Sequence, residues 1–187
     1  MQELTIDNNN RHGPLDVNFY GNTNAQNTII FIDGNPSTKN DASGTINTII
    51  EMISNTNALS FTYRGNCQLC QGVKDISKII EYTNENIKPK KMILIATSAG
   101  AYSVCQLLTT SSRILDVVFT VIFLDPADYV LHTNDYHPAI STWSGIDMYS
   151  PTQPTVVSLL KSLNSDIKIH VVNFMLRIIG EDGYVPE

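Results

Sequence analysis

Charge is scarce in this chain. Asp, Glu, Lys and Arg together make up 16% of its 187 residues, and the 12 basic against 18 acidic side chains leave a net charge of -6. No run of Lys and Arg stands out, so the electrostatic footprint of a nucleic-acid binder is missing. No apolar stretch reaches the roughly 18 residues that a membrane-spanning helix needs; the longest, such as Val117 to Leu124, are strand-sized. The first residues, Met1 to Arg11, contain Glu3, Asp7 and three consecutive Asn with neither a basic start nor an apolar centre, unlike a secretory signal. A soluble, cytoplasmic protein is the expectation. Cysteine is rare and odd in number: the three cannot close a disulfide framework, and Cys67 with Cys70 lacks the further ligands a zinc site requires. Reduced thiols, no metal and no cofactor are expected. A phosphate-binding GxxxxGK is also missing, and Asp33 would repel phosphate in the hydroxyl-bearing loop Asp33 to Thr38, which argues against a nucleotide-binding flavodoxin-like domain.

What is present is strong apolar patterning, with 42% hydrophobic residues and no sign of wholesale disorder. Short β-branched runs alternate with amphipathic segments. Thr28 to Ile32, Ala58 to Tyr63, Met92 to Ala96 and Val117 to Leu124 read as buried strands, and Ile167 to Leu176 as a last one. Between them, Thr45 to Ser54 carries Ile46, Ile49, Ile50 and Ile53 at helical spacing, Val73 to Ile87 repeats the pattern up to Pro89, and Ala99 to Leu108 is a helix of small residues. Leu15 to Tyr20 is expected as an antiparallel edge strand, and Thr155 to Leu163 as a helix. From Pro126 to Pro154 the periodicity dissolves into prolines and aromatics, Tyr129, Tyr136, Trp143 and Tyr149 among them. Alternation of strand and helix at this spacing predicts a single domain over residues 1–187, an α/β three-layer sandwich on a mainly parallel central sheet, with 126–154 as a cap or insertion. Ligands of such sheets bind where strands end and helices begin, so the loops after the strands are the ones to search.

The third of those loops is Ala96-Thr97-Ser98-Ala99-Gly100, between a buried strand and a helix of small residues. A nucleophilic Ser needs a sharp turn that lifts its hydroxyl above the sheet, and small neighbours keep that turn from clashing. The helix beginning at Ala99 turns its positive end toward Ser98, and the backbone N–H of Ala99 is free to meet an oxyanion. A Ser at this position also serves as an ordinary helix N-cap.

On these residues the chain resembles the α/β-hydrolase superfamily, over about Thr28 to Pro186, with Ala96 at the first Gly of the usual G-x-S-x-G elbow. Asp33-Gly34-Asn35-Pro36 falls where that family has its His-Gly oxyanion loop, which makes the N–H of Asn35 or a neighbour the second oxyanion donor beside Ala99. Tyr63-Arg64-Gly65 is similar to the family's Asp-x-Arg-Gly strand end. For the acid the resemblance offers two residues: Asp182, in a segment like the family's Gly-x-x-Asp-x-x-Val-Pro turn, and Asp125, in a Leu-Asp-Pro context like that of pancreatic-type lipases. Asp182 is favoured. The family's His lies beyond the acid, but none of His12, His132, His137 and His170 follows Asp182; His137, in the insertion, is the best placed of the four.

The resemblance implies a serine hydrolase that cleaves an ester or thioester through an acyl-enzyme on Ser98, with a small-molecule acyl substrate. A non-catalytic relative that keeps the fold as a binding or scaffold protein is the alternative, and a fragment of a longer hydrolase lacking its last strand and His is another. In the latter case the strand at Ile167 to Leu176 becomes a sheet edge inviting self-association.

Overall fold

The computed structural model describes residues 1–7, 11–34, 38–64, 68–126 and 167–172. Its sheet has the strands β1 (Gln2–Ile6), β2 (Leu15–Tyr20), β3 (Asn27–Ile32), β4 (Thr56–Phe61), β5 (Lys91–Thr97), β6 (Val118–Pro126) and β7 (Lys168–Val172), in the order β1-β2-β4-β3-β5-β6-β7. β1 pairs with β2 and β2 with β4 antiparallel; from β4 to β7 every pairing is parallel. The expected three-layer α/β architecture is therefore present. Leu15 to Tyr20 is antiparallel as expected but is not an edge, because Gln2–Ile6 pairs outside it. That outer strand alternates only briefly, with Leu4 and Ile6 toward the core and Glu3 and Thr5 exposed, too short a period to mark a strand without its pairing to β2.

Parallel strands buried on both faces should read as continuous apolar runs, and β3 does. Ile30 and Ile32 point into a core shared with α2 (Gln68–Tyr82), α3 (Ser98–Thr110) and α4 (Ser112–Val117), while Ile29 and Phe31 point into a smaller core under α1 (Ser43–Met52). α1 buries Ile46 among Tyr20, Ala58 and Ile95. Ile53, expected to share that face, follows the last turn of α1 in extended backbone and is 47% exposed. α2 starts earlier than its apolar period and yields at Tyr82 to a π-helical turn, Thr83–Ile87, closed by Lys88 at φ +54. α3 is buried along nearly its whole length, which explains its small residues. Beneath α2, a side chain at Gly72 would come within 2.8 Å of Ser103 Oγ, so the glycine sets how closely α2 and α3 pack. Burial also pushes the Cys105 thiol up to about 12, leaving it an unreactive core residue. The helix expected at Thr155 to Leu163 and the cap over 126–154 beyond Pro126 lie outside the described residues.

At the end of β4, Arg64 ties three segments together. Its Nε donates to Asp75 Oδ1 of α2 at 2.7 Å, its backbone N–H donates to Asp75 Oδ2 at 2.9 Å, and Nη1 donates to Asp7 Oδ2 after β1 at 2.7 Å. Nη2 adds an ion-pair contact of 2.6 Å to Asp75 Oδ1. Asp75 is fully buried and Arg64 nearly so. Burial pushes the Asp75 carboxyl up, against the opposing pull of the Arg64 bonds. For Arg64 burial works downward, but its bonds to Asp7 and Asp75 prevail and hold it charged. Removing one member of such a pair strands the other charge in the core. Asp75→Ala is expected to lower unfolding stability by about 3–5 kcal/mol, read from urea denaturation; a loss below about 1 kcal/mol, the range of an exposed pair, would contradict this account.

Candidate active site

β3 has β4 on one side and β5 on the other, and the two connections that leave it and β5 run to opposite faces, into α1 and α3. The sheet order reverses here, which opens a crevice between the carboxyl ends of β3 and β5. Residues 33–34 and 97–98 form its walls.

On the β5 side the chain passes from the last strand residue, Thr97, directly into the first residue of α3, Ser98. No loop residue intervenes, and the turn is made by Ser98 itself at φ +46. For a side-chain-bearing residue this left-handed conformation costs about 1–2 kcal/mol, so it persists only where the surroundings impose it. Ser98 is exposed while Ala96, Ala99 and Gly100 around it are buried. Ala99 belongs to the first turn of α3, whose N–H groups have no acceptor within the helix. The passage from strand to helix is therefore a sharp turn with Ser98 as its exposed residue.

The β3 side closes against it through two glycines. A Cβ at Gly100 would lie 2.7 Å from the carbonyl oxygens of both Ile32 and Asp33, and one at Gly34 would lie 2.9 Å from Ser98 Cβ and 3.3 Å from its Oγ. Only hydrogen fits at either place. The approach is locked by hydrogen bonds: Thr97 Oγ1 donates to Asp33 Oδ1 at 2.7 Å, and the Gly34 N–H donates to Asp33 Oδ1 at 2.7 Å and to Thr97 Oγ1 at 3.1 Å. From the end of β4, the Tyr63 hydroxyl donates to the Asp33 carbonyl at 3.1 Å, its ring packed edge-on against Phe61.

The far end of the same loop is anchored separately. The Lys39 carbonyl accepts from Asn18 Nδ2, Tyr20 Oη and Ser60 Oγ, while the Lys39 N–H donates to Thr62 Oγ1 at 2.9 Å. Asn18 Nδ2 also reaches Asn40 Oδ1 at 2.9 Å. Asn35 lies between the two anchors and outside the described residues.

Of the acid and base candidates, His137 and Asp182 lie outside the described residues. Asp125 is placed by its backbone alone: Thr97 pairs with Leu124 in register, so Asp125 follows at the level of Ser98 on the adjacent strand. His170 pairs with Ile122 on β7, two strand positions from β5, about 10 Å across, and is exposed. His12 lies just before β2, three positions from β5, where Arg11 Nε donates to its Nε2 at 2.9 Å. Among the described residues, then, neither imidazole approaches Ser98. The sequence reading missed Asp33 as a side chain of the site, and Thr97 with it. No local sequence signal marks them: they are neighbours because Ile32 pairs with Ala96, which brings the next residues of the two strands side by side.

With this geometry established, comparison with solved structures shows that the chain has the α/β-hydrolase fold. Est1E from Butyrivibrio proteoclasticus is similar at 13% identity and a TM-score of 0.62, covering 92% of this chain and 88% of its own. An esterase of Pyrococcus furiosus is similar at 13% identity and a TM-score of 0.62, with 97% and 87% covered. A Xanthomonas campestris protein described as a member of the α/β serine hydrolases without lid has 14% identity, a TM-score of 0.57, and 93% and 84% covered. No family model matches the sequence, and no curated protein does. No helix among the described residues is long and apolar enough to cross a membrane.

Two substitutions probe the crossing. Gly100→Ala forces backbone apart and is expected to cost about 1–3 kcal/mol in urea unfolding; unchanged stability would show that β3 and α3 can separate freely. Ser98→Gly removes the left-handed penalty and is expected to be as stable as the wild type or more so by about 1 kcal/mol, whereas a clear loss would mean that Ser98 contributes a stabilising cap.

Proposed function

We propose that this chain is a serine hydrolase that cleaves a small-molecule ester or thioester through an acyl-enzyme on Ser98. The observation that supports the reading is the conformation of Ser98: exposed, at φ +46, between strand and helix, facing the glycine-bearing loop after β3. A helix cap does not need this strain, since an N-cap residue ordinarily has extended backbone. Here that position is filled by Thr97, extended at φ -113, with no capping bond from its side chain.

In the proposed reaction Ser98 Oγ attacks the acyl carbon while its proton passes to a base, giving a tetrahedral oxyanion. The N–H groups of Ala99 and Asn35 receive that charge. Collapse expels the alcohol or thiol, which takes the proton from the protonated base, and water then releases the acid by the same sequence. No metal or cofactor has a step. His137, from the segment 126–154, is our candidate for the base, and Asp182 or Asp125 for the residue that orients it. The aromatic residues of that segment would line the acyl pocket. The cytoplasm is the compartment we assign, on the reduced-thiol reading of the cysteines.

A second reading is a binding or scaffold protein that keeps the fold without the chemistry. It is favoured by one observation, that neither His12 nor His170 stands near Ser98. Labelling with an active-site phosphonate separates the two. The hydrolase reading expects covalent labelling of the wild type that Ser98→Ala abolishes. Equal labelling of both, or none of the wild type, overturns it in favour of the scaffold.

A further inference from the structure

We infer that Thr97 and Asp33 form a positioning pair that holds the start of the loop after β3, at Gly34, against Ser98. The inference rests on the serine-hydrolase reading and adds to it two residues that neither carry the reaction nor touch the substrate.

The two side chains are neighbours because β3 and β5 are parallel and in register at Ile32 and Ala96. Asp33 Oδ1 accepts two donors at once, the Thr97 hydroxyl and the Gly34 N–H, each at 2.7 Å. Thr97 Oγ1 in turn stands 3.1 Å from the same N–H as an acceptor, so its one proton is committed to the carboxylate. This closed arrangement has a direct consequence for the loop. The Gly34 N–H is held by both members of the pair. The Gly34 N–H is thereby withdrawn from the site.

The described ends of the loop have further anchors. The loop is fixed at its far end by Lys39, whose carbonyl accepts from Asn18, Tyr20 and Ser60. Its near end has the Asp33 carbonyl capped by Tyr63 and pressed against Gly100. The side chain of Thr97 links Asp33 and Gly34 to the residue next to Ser98. Oxyanion donors act only when aimed at the place the charge develops. A displacement of about 1 Å in such a donor can cost about a hundredfold in rate. A hydroxyl immediately before the nucleophile and a carboxylate immediately before the loop glycine together supply that aim.

The test uses the full chain and an aryl phosphonate, measuring the labelling rate as a function of reagent concentration together with the urea midpoint and hydrogen exchange of the segment 30–42. Thr97→Val is nearly isosteric and removes only the hydroxyl. It is expected to slow the maximal labelling rate about 10- to 100-fold with the half-saturating concentration unchanged, and to raise exchange in 30–42 while leaving the urea midpoint in place. Thr97→Ser, which keeps the hydroxyl, is expected to recover most of the rate. Asp33→Ala should reproduce the Thr97→Val defect without adding to it in the double variant, because the two act as one unit. Labelling of Thr97→Val at the wild-type rate, or unaltered exchange in 30–42, overturns the positioning role while Ser98 labelling still stands. A loss of rate matched by a loss of global stability in both Thr97→Val and Asp33→Ala overturns it in favour of a purely structural pair. Failure of the wild type to label at all removes the hydrolase reading and this inference with it.

Discussion

The end of β3 and the beginning of α3 lie so close that neither Gly34 nor Gly100 has room for a methyl group, and the rest of the site follows from that approach. Backbone carbonyls of Ile32 and Asp33 face the first turn of a helix at a distance where only hydrogen can intervene. The helix therefore cannot start later or tilt away without opening a gap in the core formed by Ile32, Ala96 and Ala101. Given a strand that must reach its end at Thr97 and a helix that must begin at the next residue, the reversal of direction falls on Ser98. Its left-handed backbone is the outcome of two fixed neighbours rather than a local preference. Exposure of its hydroxyl comes from the same cause, since a tight turn at the top of the sheet points its side chain outward.

Around this crossing the molecule commits polar groups that a simple core would avoid. Asp33, Thr97 and Gly34 form a small closed set of hydrogen bonds, and Asn18, Tyr20 and Ser60 converge on one carbonyl of the adjoining loop. A buried polar group costs free energy unless it is paired, and a paired set admits few geometries. The same logic operates at Arg64, which holds the end of β4 to α2 through Asp75 and to the turn after β1 through Asp7. These contacts all lie at the carboxyl ends of the parallel strands, where the apolar layers stop and loops would otherwise be loose. The polar residues give precision where the hydrophobic core gives cohesion.

Much of this was legible before any coordinates. Runs such as Thr28 to Ile32 are too short and too β-branched to be helices, and the period of Ile46, Ile49 and Ile50 fits only a helix with one buried face. Where the pattern failed, the reason is physical. Gln2–Ile6 became a strand through pairing with β2, although its alternation spans only Glu3 to Ile6 and most of its side chains are exposed. Ile53 continued the apolar spacing of α1, yet the helix ended at Met52 because the chain had to turn toward β4. The short helix α4 carries too few residues for a period to register.

The site divides along the same line. Small residues flanking Ser98, a strand before it and a helix after it are local facts, and the sequence by itself determined them: only Ala and Gly fit such a turn, and their spacing is visible in the chain. Residues distant in sequence become partners only when strands align. Asp33 meets Thr97 because β3 and β5 run parallel and in register at Ile32 and Ala96, and Arg64 meets Asp75 because α2 returns across the end of β4. Asp33 and Thr97 stand 64 positions apart, and Arg64 and Asp75, though 11 apart, face each other only once α2 has folded back. Sequence set which residues could make the turn; tertiary structure decided which side chains aim it, because register and helix return, not proximity along the backbone, bring hydrogen-bonding groups within 3 Å of each other.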